Sequence, residues 1–208
     1  MYTLPQHLYN KHKVEFETYL NLILKWNSKI NLTALTNPQD IIELHFLDSL
    51  AFTFFFEDER FRNVSRETFL DIGAGNGLPG LALKIIFPEI KLYLAESIQK
   101  KCFFIKTVIR ELKLQDTFVI NETITDKPLG KFDFAISRAF ATLNNFINVG
   151  AFHLKQGGLL ATLKGEKLES EIIEAHPSRI KLNFSQFNSE PYLLPSKERR
   201  SIIWAVKN

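Results

Sequence analysis

The chain has 208 residues, of which 45% are hydrophobic and 24% charged, and its formal net charge is +3. That length suits one well-buried core better than two. The balance excludes disordered and fibrous classes and permits an anionic partner without demanding one. A single cysteine, Cys102, excludes an internal disulfide, and nineteen phenylalanines point to a core filled by aromatic rings.

In chain order, the opening MYTLPQHLYN lacks the charged start and apolar run of a signal peptide. The first third reads helical. Phe16, Tyr19, Leu20, Ile23, Trp26 and Ile30 recur at steps of three and four, which makes one apolar stripe. Asn37-Pro38 opens a second helix, with Ile41, Leu44, Leu47, Leu50 and Phe54 on its inner side. Its most apolar window is interrupted by Asp48 and Ser49 and is too short to span a bilayer. A cytoplasmic protein is expected. The sequons Asn31-Leu32-Thr33 and Asn121-Glu122-Thr123 carry no meaning without export.

From Glu67 the texture changes. TFLDIG reads as a strand, LPGLALKIIF as a helix stopped by Pro88, KLYLAES as a strand and IQKKCFFIKTVIRELKL as a long helix. TFVIN and KFDFAIS follow as strands, TLNNFINVGAFHL as a helix and GGLLATLKGE as a strand. Strands alternating with helices imply a mostly parallel, doubly wound sheet with helices on both faces. IKLNFSQFN and RSIIWAVK read as two strands with no clear helix between them, and would form an antiparallel hairpin at the sheet edge. The expected architecture is one α/β domain, with a helical cap over residues 1–66 and a sheet core over 67–208.

In such sheets ligands bind at the carboxyl ends of the strands. The first strand runs into FLDIGAGNGLPG, which fits two patterns. Gly75-Asn76-Gly77-Leu78-Pro79-Gly80 satisfies G-x-G-x-x-G, the dinucleotide fingerprint. Asp71-Ile72-Gly73-Ala74-Gly75-Asn76-Gly77 reads D-x-G-x-G-x-G, which suits a cofactor of the S-adenosylmethionine type. A pyrophosphate wants several free N–H groups at a helix start, and Pro79 supplies none. A sulfonium cofactor wants flat backbone and nearby oxygens, which Gly73, Gly75, Gly77 and Asp71 offer. Glu96, closing the next strand, is placed to accept from ribose hydroxyls in either case. The duller account is a tight turn followed by a solvent-facing glutamate that begins a helix.

With these residues assembled, the chain resembles the RsmG (GidB) family of bacterial class I methyltransferases. The matching segments are WNSKINLTAL, HFLDSL, FLDIGAGNGLPGLALKIIFP, ISRAFATL and LLATLKGE, from Trp26 to Glu166. The resemblance implies a Rossmann-like class I methyltransferase fold. It also implies S-adenosyl-L-methionine as cofactor and methylation of guanine N7 in 16S ribosomal RNA, free or in the small ribosomal subunit particle. It places cofactor contacts at Gly73 and Leu78, at Ile124 and Thr125 after the third strand, and at Arg138 after the fourth. Glu96 stands where the family often has Asp, and Lys101 where Arg is frequent.

Guanine N7 presents a lone pair and carries no proton, so no catalytic base is required and the gain should come from positioning. The Asn/Asp-Pro-Pro-aromatic motif of amine methyltransferases is absent, its place reading Ser137-Arg138-Ala139-Phe140. Carbon methylation of pyrimidines usually needs a nucleophilic cysteine, and Cys102 falls within an apolar helix pattern. Arg138 can bind the cofactor carboxylate or an RNA phosphate, or else pair with Asp71 or Glu96 in the site wall. Phe140 can stack on the target base or serve the core.

His45, Asp48 and Ser49 would share one helix face. They either line the substrate mouth or form a His–Asp pair that fixes the cap to the sheet, and without further ligands they make no metal site. Basic residues gather at Lys100, Lys101, Lys106, Arg110 and Lys113, and again at Lys164, Lys167, Lys197, Arg199 and Arg200. The second set lies after strand ends, and Lys164, Arg199 and Arg200 are its candidate RNA contacts. The rival readings are a nicotinamide-dependent oxidoreductase, an RNA-binding module with an idle loop, and a methyltransferase for another acceptor.

Overall fold

The computed structural model describes residues 1–127, 129–138, 140, 142–165 and 168–208. Two helices open the chain, α1 (Gln6–Lys11) and α2 (Lys13–Ile30). The stripe read from the sequence is the buried face of α2, with Phe16, Tyr19 and Ile23 inaccessible to solvent. The helix ends at Asn31, whose φ of 52° is a left-handed stop.

Asn37 then caps the next helical run, its side chain accepting from the Gln39 N–H at 2.8 Å, with Pro38 in the first turn. This run is irregular. It passes from α3 (Pro38–Ile41) through a π turn (Ile42–Leu47) and a 3-10 turn (Leu50–Thr53) into α4 (Phe54–Glu57). Its interior is buried on every side from Phe46 to Phe55 rather than along one stripe, and Leu44 is only half-buried.

The sheet strands are β1 (Thr68–Ile72), β2 (Lys91–Ala95), β3 (Thr117–Ile120), β4 (Phe132–Ser137), β5 (Leu154–Lys164), β6 (Asn188–Leu193) and β7 (Arg199–Val206). Between them lie α5 (Gly80–Ile86), α6 (Gln99–Glu111), α7 (Leu143–Gly150) and α8 (Leu168–Lys181). The strand order is β3-β2-β1-β4-β5-β7-β6. The first five strands are parallel, and β7 runs antiparallel to both β5 and β6. Strand order reverses between β1 and β4, so the carboxyl ends of these two strands frame the crevice where such sheets bind ligands.

The edge hairpin is present, but one of its strands is not where the sequence suggested. Ile180 and Lys181 close α8, and Phe184 makes only an isolated bridge to Lys207. The outer strand is β6, which contains Pro191, a residue tolerated on an edge. The helix α8, which carries Pro177 in its interior, was not expected at all.

Each sheet face has its own core. On one face the cap packs its rings onto the strands. Phe55 lies edge-on to Phe134 at 5.7 Å and to Trp204 at 5.9 Å, and Phe69 stacks on Phe134 at 4.6 Å. On the other face α7 sets Phe146 and Ile147 against Leu70, Ile72 and Ala135. Among the described residues no helix is long and apolar enough to cross a membrane.

Candidate functional site

The site begins where β1 ends. Gly73 and Ala74 both donate their N–H to the Ala95 carbonyl, at 2.9 and 3.0 Å, which folds the chain back over the end of β2. Glu96 completes this clasp. One carboxylate oxygen accepts from the Gly75 N–H and the other from the Ile98 N–H, both at 2.8 Å, and the residue is 6% exposed.

The loop glycines do different work. A Cβ on Gly75 would meet nothing nearer than the Gly73 carbonyl at 3.8 Å, so this position leaves bare backbone facing open space. A Cβ on Gly77 would fall 2.5 Å from Leu81 and 2.7 Å from the Tyr19 hydroxyl. That hydroxyl donates to the Asn76 carbonyl, so the cap helix α2 holds the loop directly.

Beneath the loop lies Asp71, wholly buried. Its Oδ2 accepts from the Gly80 N–H at 2.8 Å, and its Oδ1 finds no partner among the described residues. Burial pushes its pKa up to about 7, against the lowering pull of the Gly80 N–H and of Arg138.

A cavity of about 280 Å³ opens over these groups. The loop lines it with Gly73, Gly75 and Leu78, and Glu96 and Lys101 close one side. Thr33 and His45 come from the cap, and Arg138 from the end of β4. The His45 Nε2 lies 2.9 Å from the Thr33 hydroxyl and its Nδ1 lies 3.3 Å from the Leu44 carbonyl. Because the Leu44 carbonyl only accepts, Nδ1 carries the proton and Thr33 donates to Nε2. Burial, reinforced by the Arg138 charge, lowers the His45 pKa to about 3.

Arg138 donates to the Leu44 and His45 carbonyls at 2.8 and 3.2 Å, binding the π turn to the sheet. It makes no ion pair with Asp71 or Glu96 among the described residues, so neither wall-pairing considered from the sequence is formed. Burial lowers its pKa.

The His45–Asp48 pair is likewise absent. The wider π turn turns the two side chains apart. Asp48, 1% exposed, instead accepts from the Tyr192 hydroxyl at 2.6 Å and from Arg200 at 3.2 Å, while the Ser49 hydroxyl donates to the His45 carbonyl. The cap is therefore pinned to the edge hairpin by Asp48 and to β4 by His45 and Leu44.

Ile124 and Thr125 line a separate cavity of about 250 Å³ formed by the segment after β3. Phe140 sits over the loop, its ring 3.1 Å from where a Gly73 Cβ would be, and it packs at 6.0 Å from Phe146. Of the basic candidates, Lys164 is paired with Glu171 at 2.8 Å, Arg200 with Asp48, and Arg199 is exposed. Lys167 lies outside the described residues. Cys102 is buried beside the Glu96 carbonyl, as its helix pattern suggested. Sequence reasoning missed Tyr19 and Thr33. Tyr19 was visible only as one more member of a helical stripe, and Thr33 only as part of a sequon and of the family-like segment WNSKINLTAL.

Comparison with known proteins places this arrangement. The family model described as rRNA small subunit methyltransferase G (GidB) matches residues 12–202. The chain is 36% identical over 189 residues to "Ribosomal RNA small subunit methyltransferase G" of Mycoplasma capricolum subsp. capricolum, covering 90% of this chain and 78% of the relative. It is 35% identical to the protein of the same name from Carboxydothermus hydrogenoformans, over 93% and 83% of the two chains. Among solved structures, a ribosomal protein L11 methylase from Lactobacillus delbrueckii subsp. bulgaricus aligns with a TM-score of 0.59 at 16% identity, covering 84% of this chain and 81% of that one. A SAM-dependent O-methyltransferase from Thermotoga maritima aligns with a TM-score of 0.57 at 14% identity, over 89% and 71%. At those identities the structures speak for the fold alone, which is that of the class I methyltransferases.

Proposed function

The chain belongs to the rRNA small subunit methyltransferase G family, and from that premise we propose that it transfers the methyl group of S-adenosylmethionine to N7 of a guanine in 16S ribosomal RNA. The acceptor is the RNA alone or within the small-subunit particle, in the cytoplasm.

The residues fit that cofactor. Each Glu96 oxygen already accepts one backbone N–H and keeps a further lone pair, which suits the two ribose hydroxyls. The bare backbone at Gly75 suits close approach of the methionine portion, with Gly73 and Leu78 beside it. The unpartnered Asp71 Oδ1 lies below the loop and supplies negative potential to a cationic ligand. Ile124 and Thr125, which line the separate cavity after β3, would take the adenine, and Gly77 holds the loop against Tyr19 and Leu81. When bound, the cofactor supplies an activated methyl group.

The chain's own contribution is positioning. Arg138 and neutral His45 line the cavity beside the loop, where Arg138 would hold the cofactor carboxylate or an RNA phosphate, and Phe140 overhangs Gly73, where a base could stack on its ring. Neither His45 nor any other neutral base is needed, since guanine N7 brings its own lone pair. Arg199, like Lys197, is exposed, whereas Arg200 and Lys164 are engaged with carboxylates.

The observation that carries this reading over a nicotinamide enzyme is the start of α5. Its Gly80 N–H is taken by Asp71, and Pro79 ahead of it has no N–H, so little is left to hold a pyrophosphate. The test is a labelled methyl-transfer assay on small-subunit RNA and particles from a strain lacking the activity, with the modified nucleotide mapped. Label at one guanine N7 is the expected result. No label at any salt concentration or assembly state rejects the proposal.

A further inference from the structure

Two adjoining cavities of about 440 and 580 Å³ run between α2 and α6. They share Trp26, Ile30, Thr107 and Arg110, so they form one groove. Its floor is aromatic. Trp26 is half-buried and set edge-on to the buried Phe104 at 5.8 Å, which fixes its ring. Phe103 stands on the rim, 53% exposed.

The walls are cationic. α2 contributes Lys25 and Lys29, and α6 contributes Lys100, Lys106 and Arg110. The one acidic residue lining the groove, Glu111, is already paired with Arg110 at 2.8 Å. Among the described residues none of the four lysines has a carboxylate within ion-pair distance. Lys25 and Lys29 are four apart on one helix, as are Lys106 and Arg110 on the other. Like charges at that spacing oppose helix formation, and among the described residues only Arg110, through Glu111, has a carboxylate to offset it.

The groove also leads somewhere. On α2 its wall ends at Ile30, and Leu32 and Thr33 just beyond line the cavity over the glycine loop. On α6 its wall ends at Lys100, and Lys101 lines that same cavity. Both walls therefore run from one depression into the other.

We propose that this groove binds a single-stranded stretch of the RNA substrate next to the target nucleotide, with phosphates on Lys25, Lys29 and Lys106 and a base stacked on Phe103 and Trp26. This rests on the ribosomal RNA reading given above. A polyanion meets the charge, and exposed ring faces interleaved with cations match unpaired bases, since paired ones are already stacked on each other. The first basic set of the sequence, carried on α6, thus becomes the stronger RNA contact, while Lys164 and Arg200 of the second set are paired elsewhere.

The full chain is titrated with a single-stranded oligoribonucleotide and with its duplex, following tryptophan fluorescence. Trp204 is only 5% exposed, so quenching reports Trp26. The same proteins are assayed for methyl transfer. In the triple variant Lys25→Glu/Lys29→Glu/Lys106→Glu the KM for RNA rises about tenfold or more, kcat stays within about twofold, and the salt slope of binding falls by about 2, at roughly 0.7 per lost phosphate contact. Phe103→Ala raises KM about fivefold or more, as loss of one stacked base does. S-adenosylhomocysteine affinity, unchanged in all, shows that the variants are folded.

If the wild type methylates RNA and the variants match it in KM and salt slope, the groove proposal falls and the functional reading stands. If the wild type transfers no label, the functional reading falls, and quenching by the single strand that the triple variant abolishes decides the groove alone. Equal quenching by duplex and single strand overturns the single-stranded assignment.

Discussion

At the scale of single residues, the loop glycines separate binding from folding. Gly75 has a φ of 58° and open space beside it. Gly75→Ala should cost about 1–2 kcal/mol of stability from the left-handed backbone, and the added methyl enters the cavity. Its affinity for S-adenosylhomocysteine should fall about tenfold or more, a loss of ~1.4 kcal/mol. Gly77→Ala drives its methyl into Leu81 and Tyr19, and should cost about 2–4 kcal/mol of unfolding free energy. Calorimetric binding and denaturant unfolding of the two variants check the contrast.

Asp71 makes a pH signature. Its pKa is about 7 in the fold and 3.8 for the free group, so between those values the folded protein holds a proton that the unfolded chain has lost. Stability from this group therefore falls as pH rises from about 4 to about 7 and is level above that. His45 acts in the opposite sense. Its pKa of about 3 keeps it neutral, while the unfolded chain protonates below 6.5, so acid weakens the fold through it. Asp71→Asn keeps an oxygen for the Gly80 N–H and removes only the first effect. Its Tm should match wild type near pH 5 and exceed it by several degrees near pH 8, about 2–3 kcal/mol. A wild-type-minus-variant difference that is flat across that range would contradict the buried carboxyl.

At the scale of elements, the cap is fastened by Asp48. Its carboxylate takes the Tyr192 hydroxyl of β6 and the Arg200 guanidinium of β7. Arg200→Ala leaves that carboxylate buried and short of its counter-charge, at a cost of about 3 kcal/mol or more. Arg199→Ala, exposed one residue away, should stay within about 0.5 kcal/mol. Urea denaturation of the pair tests the anchor.

This anchor was not legible in the sequence, and the reason is local. A regular helix would put His45 and Asp48 on one face, and only the π turn, which no residue pattern announces, moves them apart. The strands β1, β2, β4 and β5 were legible because parallel strands covered on both faces read as unbroken apolar runs. α8 was missed because Pro177 interrupts its pattern, and β6 because Asn188, Ser189, Glu190 and Pro191 make a poor strand anywhere but at an edge. Within the site, Gly73, Gly75 and Glu96 were expected because they follow strand ends, and Leu78 and Arg138 only through the family resemblance; all five line the cavity over the loop. Tyr19, Thr33 and the role of the α2–α6 groove could not, because their partners lie far along the chain.

At the scale of the molecule, cap and sheet share one set of packed rings, from Phe46 and Phe55 through Phe69 and Phe134 to Trp204. A single domain over residues 1–208, as the sequence suggested, should then unfold in one step. Phe55→Ala should lower stability by about 3–5 kcal/mol and shift the whole thermal transition without splitting it. A separate early melting of the cap, seen by calorimetry, would contradict this.

One detail at the far margin of the sheet bears on how the protein lives among its own copies. Pro191 turns its carbonyl away from β7, where the Tyr2 N–H meets it at 2.8 Å, and on that same side proline has no hydrogen to offer. The first residues of the chain thus act as a selvedge. A strand from a neighbouring molecule, arriving to extend the ladder, finds at Pro191 the acceptor spent and the donor missing, so self-templated growth cannot run unbroken along this border.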